Sequence, residues 1–418
     1  MMDTRALVYV DINAGPVLAG QLWGRTRKGR ESASFEYDAD WLASDERFPI
    51  DPALQLGPGA FHTSADKSLF GAIGDSAPDR WGRALIRRAA RRRAERAGET
   101  PRTLREIDYL LAVSDEARQG ALRFSTDPGG PFLADSGTTS IPPLVDLPRL
   151  LSATEHVVSE SETDDELRLL LAPGSSLGGA RPKASVRDVD GRLAVAKFRH
   201  PDDERDVVRW EAVALSVASR AGIRVPDWRM ENVGKQPILL LRRFDRAGER
   251  RIPFLSALSM LGAEDNETRS YLEFVDALRR HGASPEEDMR MLFRRVVFNI
   301  LISNTDDHLR NHGFLYDGPD GWRLAPAYDL NPVPIDIRPR VLATAVDIDD
   351  TTASLDLALS VAPYFELEKA DARQIASQVG RAVGGWREEA AHVGLVSAQI
   401  KRMASAFEHD DLAKALAV

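Results

Sequence analysis

The sequence contains no cysteine, which excludes disulfide frameworks, thiolate nucleophiles and cysteine-based zinc sites. It also lacks a long apolar run. A membrane-spanning helix needs about 20 consecutive apolar residues, and the longest buried-looking stretch, Val296–Ile302, is interrupted by Asn299. Positive charge is in deficit: 55 Lys and Arg stand against 64 Asp and Glu, a formal net charge of −9. No global positive field therefore draws in nucleic acid. The stretch Met1–Gly15 alternates like a strand and has neither the basic nor the apolar region of a signal peptide. Internal repeats and low-complexity tracts are missing as well. What is present is an ordinary globular composition, 43% hydrophobic and 28% charged, with 30 Gly and 24 Pro in 418 residues. At roughly 100–200 residues per domain the length predicts two or three domains. The expectation is a soluble, cytoplasmic, globular protein with no membrane association.

Residues 6–10 and 17–22, separated by Asn13-Ala14-Gly15-Pro16, read as a hairpin, and Ser34–Tyr37 as a third short strand. A helix pattern runs from Trp81 to Ala97, opened by the turn signals around Ser76–Asp79 and stopped by Gly98. It carries Arg83, Arg87, Arg88, Arg91, Arg92, Arg93 and Arg96. Two readings stand: a solvated helix face, or a local basic patch for phosphate or an acidic partner. Between Phe124 and Leu144, clusters of Gly, Pro, Ser and Thr predict a surface connector. Leu144–Leu171 is helical in pattern, strands alternate with glycine turns over Lys183–Arg199, and Asp203–Ala221 is a helix. Pro237–Leu241 is an aliphatic central strand. Tyr271–Asn299 is again helical, and Asp371–Val383, Trp386–Val393 and Val396–Phe407 form a closing helical group. The fold class is α+β with segregated elements.

The most informative segment is Asn304-Thr305-Asp306-Asp307-His308-Leu309-Arg310-Asn311, followed further on by Tyr328-Asp329-Leu330 between Pro326 and Pro332. Phosphoryl transfer needs this inventory: an Asp to orient the acceptor hydroxyl (Asp306), with Asn and Asp oxygens to hold Mg²⁺ (Asn311, Asp329). The competing reading is that Asp and Asn merely populate turns. His308 and His312 stand at i, i+4, but Thr-Asp-Asp before them and Gly313 after them describe a loop rather than a zinc-binding helix. The paired glycines of Gly174–Lys183 are either a phosphate cradle or an ordinary turn, without the pattern of a Walker loop. Lys197, in the strand Ala194–Phe198, either snorkels from an edge or faces a bound anion. Glu211 on the next helix is its partner or an exposed glutamate. Arg242-Arg243-Phe244-Asp245-Arg246 follows the aliphatic strand as a connector whose backbone could hold a purine, with Asp245 near the ribose, or as a surface ion-pair cluster. Each signal is weak alone; their order along the chain is that of a bilobal protein kinase.

These same segments, S-S-L-G-G-A-R-P-K-A, V-A-K-F, L-L-R-R-F-D-R, N-T-D-D-H-L-R-N-H and P-A-Y-D-L-N-P, resemble the HipA toxin kinases, serine/threonine kinases of bacterial toxin–antitoxin modules. The resemblance extends to Gly74–Trp81 and Val113–Leu122, similar to that family's small β-rich N-terminal subdomain and its junction. It implies a bilobal, protein-kinase-like fold: an N-terminal subdomain over residues 1–125, a connector over 126–143, a nucleotide-binding lobe over 144–246 and an all-α lobe over 247–418. It implies Asp306 as catalytic base and Asn311 and Asp329 as Mg²⁺ ligands. ATP would be held by Gly178, Gly179, Ala180, Arg181, Pro182, Lys183 and Lys197, by Arg242, Arg243, Phe244 and Asp245, and by His308, Leu309, Arg310, Asn311, Tyr328 and Asp329. Autophosphorylation would fall on Ser176, or on the adjacent Ser175. Arg242 stands where the family often has a glutamate, a change that a backbone adenine contact tolerates. The implied partners are a HipB-like DNA-binding antitoxin, operator DNA only through that antitoxin, and a protein substrate such as an aminoacyl-tRNA synthetase. The alternatives are a catalytically silent corepressor and a small-molecule kinase.

Overall fold

In the computed structural model, which describes residues 4–12, 15–134, 141–171, 179 and 181–418, alternating apolar residues at the N-terminus build the first sheet. Strands β1 (Thr4–Ile12), β2 (Gly15–Arg27) and β3 (Arg30–Tyr37) are consecutive antiparallel neighbours. After a short helix, α1 (Ala39–Ala43), strand β4 (Ala60–His62) adds to the β3 edge. Strand β5 (Leu122–Ser125) closes the other edge, giving the order β4-β3-β2-β1-β5. Ala6, Val8, Val10 and Ile12 of β1 point into the core. Gly20 is required where β2 passes β3, because a Cβ there would lie 2.3 Å from the Glu36 carbonyl oxygen.

The chain divides into two units: Met1–Asp202 with Val233–Gln236 and Leu240–Leu255, and Asp203–Asn232 with Pro237–Leu239 and Ser256–Val418. In the first, the sheet is followed by α2 (Gly71–Asp75), α3 (Arg80–Ala97) and α4 (Glu106–Ala112). Helix α3 begins where Asp79 accepts the Gly82 N–H at 2.7 Å and ends at Gly98, whose φ of 67° the missing Cβ permits. Arg87, Arg91 and Arg93 of this helix are exposed, as a solvated face requires, while four of its other arginines meet acids from other segments. Arg83 makes a bidentate pair with Glu106, Arg88 and Arg92 bond Glu162, and Arg92 and Arg96 reach Asp164. The pattern over Leu144–Leu171 resolves into a 3-10 turn, α5 (Leu147–Val158) and α6 (Asp164–Leu171), broken where Glu160 takes φ 57°. Strands β6 (Lys183–Arg187) and β7 (Leu193–Lys197) form an antiparallel hairpin.

The second unit opens with α7 (Val207–Arg220), capped by Asp206 and buried along most of its length. Next along the chain come β8 (Trp228–Val233) and β9 (Gln236–Arg242), each divided between the units, then the short strands β10 (Arg246–Ala247) and β11 (Arg250–Arg251) of the first unit, and β12 (Phe254–Ser256), which ends at the start of the second unit's last segment. After α8 (Ala257–Met260), the helical run expected over Tyr271–Asn299 splits into α9 (Tyr271–His281) and α10 (Pro285–Leu301). At the break, a Cβ on Gly282 would strike the Leu278 carbonyl at 2.3 Å, and Pro285 restarts the helix. A hairpin of β13 (Gly313–Tyr316) and β14 (Trp322–Leu324) follows. Helices α11 (Leu355–Val361), α12 (Lys369–Gly384), α13 (Trp386–His392), α14 (Ser397–Arg402), α15 (Ala404–Phe407) and α16 (Asp410–Ala417) complete the unit. Trp386 stacks on Phe407 at 4.4 Å, with Trp210 of α7 tilted against both.

Asp79 does two jobs: it caps α3 and pairs with Lys183 Nζ at 2.9 Å, with both side chains 4% exposed. Asp79→Ala should strand a buried ammonium and lower the stability of the first unit by about 3–5 kcal/mol, measured as a fall in the urea midpoint. In the second unit, burial and the neighbouring Arg340 push His409 down to about 4, whereas an unfolded chain protonates histidine near ~6.5. The unfolded state thus binds more protons between these values, and stability should fall by up to about 3 kcal/mol as pH drops from ~6.5 towards ~4. His409→Gln should flatten that part of the stability-versus-pH curve.

Candidate active site

The second unit brings the two carboxylate segments together. Helix α10 ends in a buried apolar turn, and Ser303, at φ 51°, reverses the chain into the loop 304–312. The two adjacent aspartates of that loop have opposite environments. Asp307 is 2% exposed, accepting hydrogen bonds from the Tyr271 hydroxyl and from Asn299 Nδ2 at 2.7 Å, with His312 Nε2 at 2.9 Å. Its carbonyl oxygen also accepts the Thr344 hydroxyl at 2.6 Å. Asp306 is 52% exposed, and among the described residues its carboxylate meets only Arg338 Nη1, at 3.0 Å from Oδ1. A half-exposed pair of this kind contributes about 0–1 kcal/mol, so the Asp306 carboxylate is available for chemistry while Asp307 anchors the loop beneath it.

Asn311 donates from Nδ2 to the Asp306 carbonyl at 3.0 Å, and its own N–H bonds the His308 carbonyl at 2.8 Å. The amide nitrogen is thereby committed, and Oδ1 is the atom left to meet a cation. Leu309 is buried and fixes the 3-10 turn Leu309–Asn311. The Tyr328–Leu330 segment is stitched to the loop through Asn304, whose Oδ1 accepts the Asn331 N–H at 3.3 Å, and through Val333, whose N–H bonds the Ser303 carbonyl at 3.2 Å. The Tyr328 hydroxyl donates to the Arg310 carbonyl at 2.9 Å, and Asp329 takes a left-handed φ of 58°. Asn311 and Asp329 supply hard oxygen donors of the kind Mg²⁺ takes. His308 is exposed, whereas His312 is buried against Asp307 and the rings of Tyr271 and Phe274. Among the described residues, no three His, Asp or Glu side chains converge as a metal site.

The nucleotide residues expected in the first unit fare differently. Gly174–Gly178 and Ala180, with both Ser175 and Ser176, lie outside the described residues. Gly179 takes φ 97°, and a Cβ on it would meet Lys183 Nζ at 2.8 Å. Lys183 is not an open phosphate ligand: its ammonium is buried on Asp79, and its carbonyl accepts Trp81 Nε1 at 3.0 Å. Pro182 is held through its carbonyl, which accepts the Phe198 N–H at 3.0 Å. Lys197 lies opposite Lys183 in the β6–β7 register and is half-buried. Glu211, on α7 of the second unit, is buried, which excludes the exposed-glutamate reading.

The expectation that Asp245 faces a ribose is corrected. Its carboxylate is 2% exposed and accepts Arg243 bidentately, Arg246 at 2.8 Å and the Gly120 N–H at 2.8 Å. Burial would raise its pKa, but the two guanidiniums and the amide hold it well below the usual carboxylate range. Arg243 also donates to the carbonyls of Ala117 and Arg118, and its N–H bonds the Leu193 carbonyl at 3.0 Å. Arg242 alone of the arginines in Arg242–Arg246 turns outward, to Asp190 at 2.6 Å. Arg243, Asp245 and Arg246 and the segment Val113–Leu122 are thus two halves of one buried polar cluster. The sequence reading also missed Tyr271, Asn299, Asp307, Thr344 and Arg338. The sequence signals among them were Asp307, which stands inside the Asn304–Asn311 segment without a role of its own, and Asn299, a lone amide in an apolar helix end.

Two family models match the chain, the HipA N-terminal domain over residues 10–124 and the HipA-like C-terminal domain over residues 175–386. Among curated proteins it is similar to a Sinorhizobium fredii protein named "Putative kinase Y4mE", 27% identical over 182 residues, which are 37% of this chain and 41% of that protein. A Haemophilus influenzae protein named "Putative kinase" is 24% identical over 179 residues, 38% of this chain and 52% of that protein. The chain thus spans about half the length of these relatives, or less. Among solved structures, HipA of Shewanella oneidensis, determined with HipB and operator DNA, superposes with a TM-score of 0.66. That match covers 99% of this chain and 96% of the other at 18% identity, and shows a shared fold. The C-terminal model alone covers half the sequence, and with the N-terminal model before it the assignment follows: the chain belongs to the HipA family.

Proposed function

We propose that this protein is an ATP- and Mg²⁺-dependent serine/threonine protein kinase, the toxin of a HipBA-like toxin–antitoxin module. The observation that carries this reading is the division of labour between Asp306 and Asp307. One carboxylate is exposed and weakly paired, the other is buried and holds the loop, and Asn311 is bonded to the carbonyl of the exposed one. In this reading Asp306 accepts the proton of the acceptor hydroxyl, and Asn311 and Asp329 hold Mg²⁺ through their oxygens. Lys197 supports the phosphates, and the backbone around Arg242–Phe244 meets adenine. Magnesium, when bound, neutralises charge on the phosphates. The substrate class is a protein hydroxyl, such as one on an aminoacyl-tRNA synthetase or another translation component. Phosphorylation of Ser176 or Ser175 would then switch the enzyme off, since nearly two added negative charges beside bound phosphates repel them. The partner is a HipB-like antitoxin, by analogy with the Shewanella oneidensis complex. The acid-paired arginines of α3 and the net charge of −9 favour DNA contact through that antitoxin rather than through this chain.

Intact mass before and after Mg-ATP is the first test. Wild type should gain one phosphate, mapping to Ser175 or Ser176, and Asp306→Asn should gain none; unphosphorylated protein that binds no ATP would overturn the kinase reading. The two aspartates should also separate by mutation. Asp306→Ala should leave the melting curve nearly unchanged while phosphoryl transfer falls by about 10²–10⁴-fold. Asp307→Ala should lower the stability of the second unit by about 3–5 kcal/mol, as calorimetry or urea titration would register.

A further inference from the structure

We propose that Arg338 is a second catalytic residue of this unit, a guanidinium that stays on Asp306 and at the same time donates to the oxygens of the phosphoryl group in flight. This rests on the kinase reading above. Arg338 Nη1 lies 3.0 Å from Asp306 Oδ1, although the two residues are far apart in sequence. The turn that carries Arg338 is anchored on both flanks. Ile337 and Arg338 donate their N–H groups to the Pro334 carbonyl at 3.0 and 3.3 Å, and the Ile335 N–H bonds Ser405 Oγ at 3.2 Å. Asp336 pairs with Arg402, and Arg340 is fixed to Ser303 Oγ at 3.2 Å, the Ile300 carbonyl at 3.0 Å and Asp411 at 2.7 Å. The backbone therefore delivers the guanidinium to the carboxylate from a fixed point.

The form of the pair is the second observation. Some exposed arginines of this chain spend both arms on one carboxylate, as Arg310 does on Asp265 and Arg387 on Glu408, and others spend one arm, as Arg91 does on Glu95 and Arg168 on Asp165. Arg338 uses one arm on one oxygen, and among the described residues neither side chain has another ion pair. Asp306 Oδ2 is left for an acceptor hydroxyl, and the rest of the guanidinium fork for an anion beside it. In-line transfer puts that anion there. The hydroxyl oxygen forms a bond to the γ-phosphorus, the bond from that phosphorus to the β–γ bridging oxygen breaks, and ADP leaves with the electron pair. The hydroxyl proton passes to Asp306 Oδ2. Arg338 moves no proton; its remaining N–H groups donate to the equatorial phosphoryl oxygens, where a preorganised cation is most effective.

The test measures transfer of labelled γ-phosphate from Mg-ATP to a Ser/Thr peptide mixture and to water, using full-length wild type, Arg338→Ala and Arg338→Lys. Arg338→Ala should lower kcat about a hundredfold with KM for ATP within about threefold. Activity should return in part with Arg338→Lys or with added guanidinium ion, a recovery that lost folding would not give. The assignment is overturned, with the kinase reading intact, if Arg338→Ala turns over within fivefold of wild type or faster. It is equally overturned if the loss is unmoved by both lysine and guanidinium. If wild type transfers phosphate to neither peptide nor water, the kinase reading falls and this inference falls with it.

Discussion

A carboxylate buried without solvent must have donors on its oxygens, and the second unit is organised around one such group. Asp307 draws a tyrosine from α9, an asparagine from α10 and a histidine from the far end of its own loop onto its oxygens, while Thr344 secures its carbonyl. Three elements that owe one another nothing in sequence are thereby locked around the loop 304–312. The exposed Asp306 needs that rigidity, because a half-exposed carboxylate with one weak partner has no means of holding its own position. The Asn304–Asn331 contact passes the same order to the segment of Asp329.

The first unit repeats the principle with the signs reversed. Arg118 is fully buried and donates to the carbonyls of Ser76, Leu110 and Val113, while Asp115 gathers Arg123 and Arg251. Asp245 binds Arg243 and Arg246 and reaches the Gly120 N–H. A buried guanidinium has five donors to satisfy, so it collects backbone carbonyls from several turns and fixes the path of irregular chain that no helix or strand controls. Both units thus use buried charge to order loops and apolar packing to order helices and strands.

Much of this was legible in the sequence where the rule is local. The N-terminal strands follow from alternation, and α3 from the cap at Asp79 and the stop at Gly98. Asp306, Asn311 and Asp329 could be singled out as a set because phosphoryl transfer needs those groups in that order. Where the rule is not local, the reading went astray. Lys183 and Asp245 carry the right chemistry for a nucleotide, yet each is spent inside the first unit: Lys183 on Asp79, distant in sequence, and Asp245 on its neighbours Arg243 and Arg246, with the distant Gly120 amide as a further donor. The acids that meet Arg83, Arg88, Arg92 and Arg96 of α3 lie outside that helix, Glu106 on α4, Glu162 in the loop before α6 and Asp164 on α6, so no local pattern announces them.

Sequence alone determined the α+β class, the presence of most helices and strands and the family, and it singled out Asp306 as the candidate base. Each depends on periodicity, capping or motif order, which act over a few residues. Only the tertiary structure decided which charges are free and which are spent. Two neighbours as alike as Asp306 and Asp307 differ only in what surrounds them, and the surroundings come from Tyr271, Asn299 and Arg338. Burial and pairing are properties of the assembled fold, and the electrostatic environment that sets a carboxylate's role exists only once chain segments remote in sequence have met.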